Sequence, residues 1–96
     1  MAKIDLSPLA GIDGFIGAAL VDSDSGLVLG TEGGGPLDLE LAAAGNTEVV
    51  RAKRKTMKSL GLADKIEDIL ISLNKQYHLI RPLDSNDAVF LYIALD

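Results

Sequence analysis

Apolar positions recur along this chain in two rhythms, and the changes of rhythm divide it into elements. Phe15 to Val21 is a near-continuous apolar run bounded by Gly14 and Asp22. Seven residues are too few for an ordinary helix and suit a strand buried on both faces. Leu27 to Thr31 reads as a second short strand. Asp22-Ser23-Asp24-Ser25-Gly26 between them is turn chemistry, with Gly26 able to take positive φ. Gly33-Gly34-Gly35-Pro36 breaks the sheet, and helical spacing follows from about Leu37 to Leu60, stopped by Gly61. The period then returns to two. Ile69, Ile71 and Leu73 alternate with Asp68, Leu70 and Ser72. Tyr77 to Leu83 alternates less cleanly and ends at Pro82, which suits an edge or a strand end. Ala88 to Leu95 is another continuous apolar run, hence a central strand. Ahead of all these, Met1 to Asp13 predicts a short helix, with Ser7 as cap and Pro8 at the first helical position. The order α-β-β-α-β-β-β predicts one α+β layered domain over residues 1–96.

The long helix carries two neighbouring stripes at 100° per residue. Ala42, Gly45, Val49, Ala52, Thr56 and Leu60 form one that is small and mostly apolar, suited to lying close against a sheet. Ala43, Asn46, Val50, Lys53 and Met57 form the second. Arg51, Arg54, Lys55 and Lys58 gather on the remaining side. That cluster reads either as a solvated face, with cations favoured near a helix C-terminus, or as a contact surface for an acidic partner.

Composition narrows the function classes. The 96 residues are 48% hydrophobic, which excludes disorder as a default, and hold only two Phe and two Tyr. The core must therefore be built from Leu, Ile, Val and Ala. With no cysteine there is no disulfide and no thiolate ligand or nucleophile. The net charge of −5 argues against nonspecific binding to nucleic acid or anionic lipid. No apolar run approaches the roughly 18–20 residues that span a bilayer, and MAKIDLSPLAG lacks a signal-peptide core. The expectation is a cytoplasmic protein without cofactor, whose small size makes oligomerisation attractive.

Two stretches imitate known chemistry. In a helix–loop–helix calcium site Asp22 and Asp24 could fill the first and third positions, but the fifth falls on Gly26, the sixth on Leu27 and the twelfth on Gly33. Gly30 and Gly35 have phosphate-loop spacing, yet Pro36 and Leu37 follow where Lys and Ser or Thr are required. Pro36 removes a donor and Glu32 adds an anion. The glycines read instead as a strand-to-helix turn. His78 is the only histidine, and no nucleophile–base–orienter set assembles around it.

The hairpin GFIGAALVDSDSGLVLG, the helix DLELAAAGNTEVVRAKRKTMKSLG and the closing IEDILISLNKQYHLIRPLDSNDAVFLYIAL resemble, in order and spacing, the roadblock (dynein light chain) family. That family includes bacterial gliding-motility regulators. The resemblance implies a five-stranded antiparallel sheet with the long helix on one face, as in profilin-like folds. It also implies a homodimer joined through one strand and paired long helices, and a non-catalytic role as regulator or platform for a Ras-like small GTPase. Carried onto this chain, the joining strand is Glu67 to Leu73, with Asp68, Leu70 and Ser72 at the interface, and the helices meet along Ala43, Asn46, Val50 and Met57. Arg51, Arg54, Lys55 and Lys58 become the partner-binding residues. Many members carry a further helix after the last strand, where this sequence stops at Asp96, so one sheet face should be less covered. A small-ligand sensor domain is the rival reading, since profilin-like sheets also host ligand pockets.

Overall fold

The computed structural model describes residues 5–96. A 3-10 turn, Ser7–Gly11, leads into strands β1 (Phe15–Asp22) and β2 (Val28–Gly33), then helix α1 (Leu39–Ser59). Strands β3 (Ile69–Ser72), β4 (Tyr77–Pro82) and β5 (Val89–Leu95) complete one antiparallel sheet in the order β2-β1-β5-β4-β3. The two apolar runs are the inner strands β1 and β5, paired from Phe15–Leu95 to Asp22–Val89 with a bulge at Ile16. The predicted α+β class and five-stranded antiparallel sheet are therefore observed.

Helix α1 begins at Asp38, whose side chain accepts a hydrogen bond from the Leu41 amide at 3.1 Å, two residues after Pro36. It ends where Gly61, at φ +72°, lets Leu62 N–H return to the Met57 carbonyl. Leu39, Ala43, Thr47 and Val50 are its buried positions, packed with Ala19 and Val21 of β1, Ile80 of β4, and Phe90, Tyr92 and Ala94 of β5. Each large apolar side chain buried there contributes roughly 1.5–3 kcal/mol.

This seating reverses the two predicted stripes. Ala43 and Val50 face the sheet and are fully buried, while Val49, Ala52, Thr56 and Leu60 are exposed. Asn46 and Thr47 make the sheet-facing side of the helix the more polar one. Both satisfy themselves locally: Asn46 Nδ2 donates to the Ala42 carbonyl and Thr47 Oγ1 to that of Ala43, each at 2.7 Å.

Other expectations shift less. The predicted N-terminal helix falls partly on residues 1–4, outside the described residues. The rest is a single 3-10 turn, and Ser7 does not cap it; Ser7 N–H instead donates to Asp5 Oδ1. Strand β2 runs to Gly33, past the predicted Thr31. Strand β4 lies inside the sheet, between β3 and β5, with Pro82 as its last residue, where a missing donor does least harm.

Candidate protein-interaction surface

Cross-strand partners share a face, so the pairings of Ala19 with Tyr92, Tyr92 with Ile80 and Ile80 with Ile69 define the helix side of the sheet. Helix α1 runs closest over β1 and β2. On the β4–β3 side of the same face, His78 and Ile71 are only half-buried. A groove separates them from the helix, lined by Leu37, Leu41, Gly45, Val49, His78 and Tyr92 among others. Its helix wall is the exposed small-residue stripe, with Leu41 70% and Val49 38% exposed. Apolar side chains left open beside an uncovered sheet face mark a contact surface.

Strand β3 closes this side of the sheet as an edge strand. It has no proline, glycine or bulge of the kind that blunts edges against further pairing. Its start is pinned to β4 by Arg81, which donates from Nε to Asp68 Oδ1 at 2.5 Å and from Nη2 to Oδ2 at 2.9 Å. This hydrogen bonding holds the Asp68 carboxyl below the usual carboxylate range. The predicted edge residues Asp68, Leu70 and Ser72 therefore lie along this open border. Leu70, 62% exposed, points with Tyr77 and Leu79 to the face away from the helix, which the 3-10 turn reaches only over β1 and β2.

The basic cluster is split by the structure. Arg51, Lys55 and Lys58 are exposed on a flank of α1 whose centre lies roughly 130° from the centre of the small-residue stripe. Arg54 is not free. Its guanidinium donates to Ser23 Oγ at 3.2 Å and to the Asp87 carbonyl at 2.5 Å, tying the helix to the β1–β2 and β4–β5 turns. Ser23, itself buried, bonds onward from Oγ to the Ala88 carbonyl at 2.7 Å. Arg54→Ala should therefore lower unfolding stability by about 1–3 kcal/mol, as loss of charged hydrogen bonds does. Arg51→Ala should stay within about 0.5 kcal/mol. Urea midpoints of the two variants check this, and equal values would make Arg54 a surface cation like its neighbours.

The stretches that imitate ligand sites are engaged in structure. Asp22 Oδ1 accepts from Asp24 N–H at 3.0 Å and Oδ2 from the Ser25 hydroxyl at 3.2 Å, closing the hairpin turn. Among the described residues no group of three or more His, Asp or Glu side chains is placed to hold a metal ion. No described helix is long and apolar enough to cross a membrane. Sequence reasoning missed the role of Tyr92, which joins His78 beside the groove; nothing local in the sequence pairs the two.

No sequence-family model matches the chain, and no curated protein matches it in sequence. Solved structures do. The roadblock/LC7 domain from Streptomyces avermitilis superposes with a TM-score of 0.82 at 18% identity, covering 98% of this chain and 78% of that one. The gliding protein MglB from Thermus thermophilus gives 0.78 at 19% identity, over 95% and 67%. Myxococcus xanthus MglB gives 0.73 at 19% identity over 85% of this chain, which spans 59% of the length of that protein. The fold of this chain is that of the roadblock/LC7 structures.

Proposed function

We propose that this chain is a homodimeric, non-catalytic module that binds a Ras-like small GTPase in the cytoplasm and modulates its nucleotide cycle or localisation. The observation that carries the reading is the partly covered sheet: α1 runs closest over β1 and β2 and reaches Phe90 of β5 and Ile80 of β4, leaving the His78–Ile71 part of that face and the β3 edge open together. A twofold axis perpendicular to the sheet beside β3 satisfies both at once. It pairs β3 with its copy in antiparallel fashion and keeps both helices on one face. It also sets the two exposed stripes, Leu41, Gly45, Val49 and Ala52, against one another. In this arrangement Asp68, Leu70 and Ser72 keep their interface role. Asn46 and Met57, half-buried, stand at its margin, and Ala43 and Val50 leave it for the core.

The GTPase partner is supported by the family resemblance and by the fold shared with two bacterial MglB proteins. Arg51, Lys55 and Lys58 supply an exposed basic patch on an acidic chain, with Lys55 bordering the proposed seam and Arg51 and Lys58 further from it. Such a patch speeds encounter with an acidic surface more than it deepens affinity. The small-ligand reading gains nothing, because the grooves found among the described residues are open to solvent.

Biolayer interferometry against a Ras-like GTPase from the same genome, loaded with a non-hydrolysable GTP analogue, tests the proposal. Wild type should bind at micromolar concentration. Lys55→Glu with Lys58→Glu should slow association at low salt, with the difference shrinking as salt nears about 0.5 M and screening shortens to a few Å. Absence of wild-type binding at tens of micromolar would remove the GTPase from the reading. Equal association rates would remove only the basic patch.

A further inference from the structure

The chain's single histidine stands in the groove that the partner helix would fill. His78 meets Tyr92 edge-on, with ring centroids 5.4 Å apart at 88°. Both imidazole nitrogens are engaged. Nε2–H donates to Gln76 Oε1 at 2.9 Å, which leaves Nδ1 to accept the Tyr92 hydroxyl at 3.3 Å. Tyr92 is fully buried, and burial pushes its phenol above the ordinary tyrosine range, so it stays a donor at neutral pH. Among the described residues, His78 is the phenol's one side-chain partner.

A second proton on the imidazole undoes this arrangement. Nδ1 would become a donor facing another donor, and the new positive charge has little to answer it. On α1 the groove presents Leu41, Gly45, Asn46 and Val49, and across the strands His78 faces Ile71 and Ala94. Asp38 is the one carboxylate lining the groove, and its Oδ1 already caps the helix. Lys53, on the same flank of α1, and Lys75, in the β3–β4 turn, are cations. Tyr77 points to the opposite face.

We infer that His78 makes dimerisation pH-sensitive: the module pairs while the imidazole is neutral and separates as it takes up a proton. The inference rests on the dimer reading above. In the free chain the half-buried ring borders a groove open to solvent, so water can reach its charge. Beneath the uncharged stripe of a partner helix it cannot, and burial disfavours the charged form. The monomer therefore binds more protons than the dimer, so association weakens as pH falls. Histidine is the side chain whose ordinary titration crosses the range of about pH 5–8.

Sedimentation velocity over a dilution series, at pH 7.5 and pH 5.5, reads the effect directly. Wild-type Kd should rise by about tenfold or more at pH 5.5, because each dimer carries two imidazoles. His78→Gln keeps a neutral side chain and should change by less than about threefold. His78→Phe keeps the edge-on ring contact and should behave likewise, with circular dichroism confirming that each variant folds. As a second readout, the Cε1–H resonance of the lone imidazole should move less between pH 7.5 and pH 5.5 in concentrated than in dilute samples. A dimer of equal Kd at both pH values, or an undiminished pH effect in both variants, overturns this inference alone. A wild type that is monomeric at pH 7.5 overturns the dimer reading and this inference with it.

Discussion

Val50→Arg should remove most of the chain's folding stability, whereas Val49→Arg should fold normally and lose only the proposed dimer. The two residues are neighbours in sequence but about 100° apart around α1. Val50 is fully buried among Ile80, Phe90 and the rest of the core cluster, with no carboxylate there to receive a guanidinium. An uncompensated buried charge costs about 3–5 kcal/mol, and steric overpacking adds to it. A domain of this size has roughly 5–14 kcal/mol in total. Val49 is 38% exposed on the groove wall, so an arginine there reaches water and the fold loses no more than about 0.5–1 kcal/mol. Across a twofold seam, though, it sets two like charges against each other in an apolar contact, which should weaken association by about a hundredfold or more. Thermal melts by circular dichroism and light scattering at tens of micromolar distinguish the outcomes. A monomeric Val50→Arg that melts like wild type would return that residue to the interface. A dimeric Val49→Arg would remove the helix flank from it.

That contrast marks where the sequence was legible. Strands β1 and β5 could be placed because burial on both faces leaves an unbroken apolar run, and the β1–β2 turn because its glycine and aspartates act on their own backbone. The facing of α1 was not legible from the pattern. Its core stripe contains Asn46, Thr47 and Arg54, whose polar atoms are satisfied by bonds to Ala42, Ala43 and the Ser23–Asp87 region. The more apolar stripe lies outside, where hydrophobic pattern alone would place the sheet. A surplus of apolar surface on the wrong side of a helix is a tertiary or quaternary signal, and the two look alike in one dimension. The same holds for His78. Its link to Tyr92 depends on the β4–β5 register, which local spacing leaves undetermined. Strand β3 was found in sequence and the family resemblance made it the joining strand; the strand order puts it at the border of the sheet.

The glycine turn before α1, which overlaps the Gly30–Gly35 phosphate-loop mimic, should instead prove to be the seat of the helix. Gly17 of β1 packs against Gly34 so closely that a Cβ on Gly17 would lie 2.7 Å from the Gly34 Cα and 2.8 Å from its N. Both obstacles are backbone, so neither can swing aside. Gly34 itself has φ +105°, a conformation L-residues rarely adopt, and a Cβ there would sit 3.0 Å from Leu39 Cδ1 at the first turn of α1. Gly17→Ala should cost about 3 kcal/mol through forced displacement of the turn. Gly34→Ala should cost about 2–4 kcal/mol, adding backbone strain to crowding. Gly45 gives the opposite result: it lies inside α1 with nothing within 4 Å of its would-be Cβ, so Gly45→Ala should stabilise the folded chain by about 0.5–1 kcal/mol. Urea denaturation orders the three variants, and magnesium–nucleotide should leave the wild-type melting temperature unchanged, since a ligand selective for the native state must raise it. A mild Gly17→Ala would mean that the turn does not rest on β1. The start of α1 would then be seated by its core side chains Leu39, Ala43 and Val50 alone.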